Sequence, residues 1–186
     1  MQKAQQMHKK PESLRAPNEV EIEWCNDRWQ FDCLADLALK AMYFEVLTWL
    51  REIKAGKPKR WLTLAGRSGV GKTHLANHAC KMLSDVFLCY WPSLGNNLRS
   101  GNYGAAEALK DYQIIRIDDF TVEDDKSGFL AMKSAEIFNG LLGKSVIITT
   151  NQSLSQIAKV DERLADRMIR GANRVYEIET TSWSLR

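Results

Sequence analysis

Apolar residues recur along this chain at two alternating spacings, and the alternation sets out most of its architecture. From Leu34 to Ile53 the positions Leu34, Ala38, Met42, Val46, Trp49, Leu50 and Ile53 fall three or four apart, the spacing of one buried helix face. Gly56 and Pro58 end that helix, and a basic turn, Ala55 to Arg60, feeds a continuous apolar run, Trp61 to Ala65, that reads as a buried strand. A second helix is predicted from near Lys72 to before Asp85, with Leu75, Ala79, Met82 and Leu83 on its inner face. Next comes a strand from Val86 to Trp91, closed by Pro92. Ser93 to Lys110 carries Gly95, Gly101 and Gly104 and reads as one or two helices broken by a loop. Ile114 to Phe120 is a strand, Thr121 to Ser127 a polar linker, and Gly128 to Leu142 a helix. Val146 to Thr150 is a strand, Leu154 to Arg170 a helix, and Arg174 to Ile178 a last strand. Strands alternating with helices predict an α/β fold. Its parallel sheet is covered on both faces, with ligands at the carboxyl ends of the strands.

Composition narrows the setting. A chain of 186 residues suits one domain with a short appendage, and residues 1–24, polar and without periodicity, read as a flexible or docking tail ahead of a domain spanning 25–186. No apolar run approaches a membrane span, and the lysines near the N-terminus have no apolar core behind them, so a cytoplasmic protein is expected. Cys25, Cys33, Cys80 and Cys89 form no C-x-x-C pair, which points to packed, reduced thiols. A net charge of +3 permits a nucleic-acid partner without requiring one.

The chemistry begins where the first strand stops. Gly66 to Thr73, GRSGVGKT, fits G-x-x-x-x-G-K-[ST] at each fixed position. In such a loop Gly66, Gly69 and Gly71 allow a tight turn, and the backbone N–H groups of Ser68, Gly69, Val70, Gly71, Lys72, Thr73 and His74 can face a phosphate at the positive end of the next helix. Lys72 would reach the β- and γ-phosphates, and the Thr73 hydroxyl would ligate Mg2+. Asp118 and Asp119 end an apolar strand about 45 residues later. Asp118 would hold the metal and Asp119 would polarise an attacking water, although strand-end carboxylates are often merely solvated. Asn151, ending the strand Val146–Thr150, could bond the γ-phosphate and that water. Between Asp161 and Gly171, Arg163, Arg167 and Arg170 share one helix face, as on any solvated helix or as an arginine offered to a neighbouring subunit's nucleotide.

Taken together, Gly66 to Ala76 (with the extended GKTHLA), Ile117-Asp118-Asp119, Ile148-Thr149-Thr150-Asn151 and Arg163-Leu164-Ala165-Asp166-Arg167-Met168 resemble the DnaC/IstB group of AAA+ ATPases, close to the DnaA initiators. The resemblance runs from about Leu34 to Arg186, where Ser182-Trp183-Ser184-Leu185-Arg186 is similar to a short family ending. It implies a five-stranded AAA+ P-loop core without a C-terminal helical lid, and ATP with Mg2+ as cofactors. Asn151 matches the first sensor, and Arg167 matches the arginine finger acting in trans between self-associated subunits, with Arg163 the fallback. It further implies a slow ATPase that loads a replicative DNA helicase onto single-stranded DNA, or alternatively a transposition helper working with a transposase. Asn96, Asn97, Arg99 and Tyr103 lie where loaders touch the strand, and the adenine pocket is expected near Trp29 to Leu34.

Overall fold

The computed structural model describes residues 36–122 and 128–180. The expected tail, the adenine-pocket segment, Cys25, Cys33 and the C-terminal Ser182–Arg186 lie outside them. Helix α1 (Leu37–Lys54) starts on Asp36, whose carboxylate accepts the Ala38 and Leu39 N–H groups, and it buries Leu39, Met42, Val46, Trp49 and Leu50. It ends at Ala55, with Gly56 following at φ +65°. Strand β1 (Trp61–Gly66), helix α2 (Lys72–Lys81) and strand β2 (Val86–Tyr90) follow. Helices α3 (Trp91–Arg99) and α4 (Gly104–Ala108) and a 3-10 turn (Leu109–Asp111) lead to strand β3 (Ile114–Phe120). Helix α5 (Phe129–Gly140), strand β4 (Ser145–Thr150), helices α6 (Leu154–Val160) and α7 (Glu162–Ile169) and strand β5 (Arg174–Ile178) complete the fold.

The five strands form one parallel sheet in the order β2-β3-β4-β1-β5. β1 and β4 run side by side within it and are buried along almost their whole length, which is why their sequences are apolar runs rather than alternations. On one face α1 and α2 cover Leu62, Leu64, Ile147 and Ile178. On the other, α3, α5, α6 and α7 cover Trp61, Phe87, Ile115, Ile117, Phe120, Val146 and Ile148. The rings of Trp61, Trp91, Phe120 and Phe138 meet there at centroid distances of 4.9 to 5.6 Å.

Four local expectations need correction. Pro92 opens α3 instead of closing β2: its fixed φ and missing N–H suit the first helical turn, and Trp91 joins the helix. Met82 is 49% exposed and caps α2 rather than lining its inner face. Leu142 lies beyond the end of α5 and is exposed. The single helix expected over Leu154–Arg170 is two, because Asp161 turns extended (φ −142°, ψ 93°) and its carboxylate caps the N–H of Leu164. No helix among the described residues is long and apolar enough to cross a membrane.

Candidate functional site

β1, β4 and β3 are adjacent and parallel, so their carboxyl ends bring Gly66, Asn151 and the Asp118-Asp119 pair to one edge of the sheet. Gly66 is required there by contact as well as conformation. It opposes Ile178 of β5 at φ +149°, and a Cβ on it would stand 2.7 Å from the Ile178 carbonyl oxygen. Arg67, Ser68 and Gly69 form an exposed crest, while Val70 is buried and pins the loop to the α1–α2 core. Gly71 enters α2 at φ +91° without a side chain to cap the first turn. The N-terminus of α2 therefore faces the loop with its positive end uncapped.

Lys72 turns back under the loop. It is 6% exposed, and its ammonium donates to the Gly66 carbonyl (2.6 Å), the Arg67 carbonyl (2.8 Å) and Asn151 Oδ1 (3.0 Å). Burial lowers its pKa to about 8, although Asp119 and Asp118 pull the other way. Thr73 Oγ1 donates to Asp118 Oδ1 at 2.8 Å, and Asn151 Nδ2 donates to Asp119 Oδ1 at 3.1 Å. The structure thus gathers Lys72, Thr73, Asp118, Asp119 and Asn151 at one place, in two hydrogen-bonded groups that Thr149 joins. His74 is half-buried on α2, with its pKa lowered by burial and then by His78 and Lys81.

A β-bulge aims the carboxylates. Ile117 pairs with Ile148 and Phe120 with Thr150, three steps on β3 against two on β4, so one extra residue is inserted. Asp119 takes it up at φ +55°, a left-handed conformation that aspartate tolerates at a cost of roughly 1 kcal/mol. Phe120 is thereby returned to the core face with Ile115 and Ile117, and both carboxylates are left at the strand end. Thr149 pins this geometry: its hydroxyl donates to Asp118 Oδ1 at 2.7 Å and accepts from the Asp119 N–H at 3.0 Å. Gln152 adds a clamp, accepting from Val122 N–H (2.7 Å) and donating to the Val122 carbonyl (3.2 Å). Neither role was assigned from the sequence. The run Ile148-Thr149-Thr150-Asn151 holds the one available signal for Thr149, a β-branched hydroxyl two residues before the strand-end amide of Asn151.

Other candidates stand apart from this network. Arg163 is exposed and Arg167 half-buried on α7, and Arg170 pairs with Asp166 past the helix end. Arg99 Nη1 donates to Asn96 Oδ1. Tyr103 lines a cavity of about 520 Å³ together with Leu98, Leu109 and Ile137, and Lys133 sits 5.4 Å from its ring centroid. That cavity opens on the α3–α5 side of the sheet, across from α2.

No family model and no curated protein matches the sequence. Solved structures do match. AMPPCP-bound DnaA from Aquifex aeolicus is 22% identical at a TM-score of 0.61, over 78% of this chain and 48% of that one. DnaI is 22% identical at 0.57, over 73% of this chain and 84% of that one. The DnaC helicase loader is 18% identical at 0.57, over 77% of this chain and 92% of that one. The chain therefore spans about half the length of that DnaA chain and most of the other two.

Proposed function

We propose that this chain, whose AAA+ P-loop NTPase fold is the one shared by those DnaA, DnaI and DnaC structures, is an ATP-binding, slowly ATP-hydrolysing replication factor. In the cytoplasm it would load a hexameric replicative helicase onto single-stranded DNA. One observation carries the nucleotide part: Lys72, Thr73, Asp118, Asp119 and Asn151, from two neighbouring strand ends and one helix start, are joined through Thr149 into a single network beside the phosphate loop. Likeness to the DnaC helicase loader over 77% of the chain supports the loading part.

Each side chain has a task in that reading. Lys72 leaves the two loop carbonyls for β- and γ-phosphate oxygens, while the uncapped first turn of α2 and the loop N–H groups hold the rest of the phosphate chain. Thr73 Oγ1 and Asp118 Oδ1, 2.8 Å apart, are a hard-oxygen pair of the kind magnesium takes, and these two residues would hold it. Magnesium bound there supplies charge neutralisation on the phosphate oxygens. Asp119 Oδ1 accepts the proton of an attacking water, oriented by Asn151. Because the Asn151 amide spans Lys72 and Asp119, a γ-phosphate that draws Lys72 away also releases the group that positions the base.

The test is size-exclusion chromatography with light scattering of the chain and its host's hexameric replicative helicase, in ATP, in ADP and with Lys72→Ala. A stoichiometric complex that depends on nucleotide is expected. No complex in any state overturns the loading function and leaves a transposition helper, for which duplex DNA and a transposase are the next ligands to add.

A further inference from the structure

Strand β3 carries a charge where its neighbours are aliphatic: Arg116 lies between Ile115 and Ile117, two residues before Asp118 and on the same strand face. Its side chain is only 11% exposed. Nε and Nη1 are buried without a hydrogen-bond partner, and Nη2 approaches Asp118 Oδ2 at 3.8 Å. Cys80 of α2 and Cys89 of β2 both feel this charge, yet burial pushes each thiol up to about 12, so neither gives it a thiolate. A five-donor cation held this poorly costs stability that an aliphatic residue would not. Among the described residues its one ion pair is with Asp118.

The two oxygens of Asp118 have different surroundings. Oδ1 accepts from Thr73 and Thr149, while Oδ2 faces the guanidinium. The ionised groups of the network are then Lys72 and Arg116 against Asp118 and Asp119, and their formal charges cancel. We infer that Arg116 is a positioning residue that occupies the free oxygen of Asp118 and makes divalent-cation binding contingent on nucleotide. The carboxylate pair does not collect a metal by itself; the negative charge of a bound triphosphate tips the balance, so cation and nucleotide enter as a unit. This rests on the ATP site proposed above and deepens it, by assigning control of the metal to a side chain outside the phosphate loop.

The test uses the full chain. Mn2+ binding without nucleotide is titrated by electron paramagnetic resonance, and mant-ATP binding is then measured across a range of free Mg2+. Wild type and Arg116→Lys, which keeps the charge, should bind Mn2+ weakly. Arg116→Met and Arg116→Gln should bind it at least about tenfold more tightly and lower the free Mg2+ needed for half-maximal mant-ATP binding by a similar factor. Folded Met and Gln variants with wild-type metal affinity overturn the inference, as does a Lys variant that follows them. If folded wild type binds no mant-ATP at any Mg2+ concentration, the ATP site itself falls and takes the inference with it. Normal mant-ATP binding with unaltered metal dependence in the neutral variants overturns the inference alone.

Discussion

Lys72 holds its three ammonium protons on three protein oxygens, and burial brings its pKa down to about 8. A triphosphate favours the charged amine, so nucleotide raises that pKa again, and linkage fixes the sign of the effect. Below about pH 7 the lysine is charged with or without ligand and contributes no pH dependence. As pH rises through 8 the free site loses its charge first, and binding must take up a proton. ATP affinity should then fall by as much as about tenfold per pH unit between pH 8 and the bound-state pKa. Calorimetry at pH 8.5 in two buffers of different ionisation enthalpy should show that uptake; identical heats would mean that Lys72 is not the phosphate ligand. The place of this lysine, at the helix start and turned under the loop, was legible in the sequence, because G-x-x-x-x-G-K-[ST] constrains loop and helix start together. The aim of the carboxylates was not. A strand read by alternation puts Asp118 and Asp119 on opposite faces, and the bulge that reconciles them is held by Thr149 of β4 and by the packing of Phe120 on Trp91 and Phe138.

Lys144, between α5 and β4, shows what one side chain does for an element. Buried, its pKa lowered by desolvation, it donates to the carbonyls of Leu109 (3.0 Å), Lys110 (2.6 Å) and Tyr112 (2.8 Å), closing the 3-10 turn from which β3 departs. Lys144→Met keeps the apolar stem and strands three acceptors, so it should cost about 3 kcal/mol and lower the melting temperature by roughly 10 °C. An unchanged melt would show that water replaces the ammonium without loss. Such long-range caps leave no local pattern in the sequence, since the three carbonyls that Lys144 reaches lie 32 to 35 residues away. The boundaries of β3 and β5 were legible, each being a short apolar-rich run bracketed by polar or turn residues, and the structure starts and ends them at the residues expected. The helix after β4 was mistaken because its apolar spacing continues through Asp161. There a side-chain cap competes with the helical backbone and wins. At Pro92 the error was to take proline as a terminator when, one residue into a helix, it is a starter.

At the scale of the whole molecule, the trans role proposed for Arg167 turns on where α7 ends relative to the phosphate loop. Asn173 ties the end of α7 to the start of β1: its Nδ2 donates to the Arg167 carbonyl at 2.7 Å, and its Oδ1 accepts from Trp61 N–H at 2.7 Å. The phosphate loop begins at the other end of β1, about 17 Å along the strand. Arg167 is thus anchored beside the amino end of the sheet, whereas Lys72 and the carboxylates lie at the carboxyl end, so on the proposed reading an arginine so placed would act on the site of an adjoining subunit. Repeated from chain to chain, such a head-to-tail contact would generate a ring or a filament, each proposed site completed by the next chain. Arg167→Ala should lower ATP turnover by about 10³-fold or more while leaving mant-ATP affinity within a few fold. Lys72→Ala should abolish both. Mixed in equal amounts, these two inactive proteins should recover up to about a quarter of wild-type turnover, since half the subunits keep an intact phosphate loop and half of those adjoin an intact arginine. A mixture as inactive as its components, under conditions where wild type assembles and turns over ATP, would mean that Arg167 acts within its own chain or not at all. Recovery that disappears on dilution would place the arginine in trans and make assembly the switch for hydrolysis.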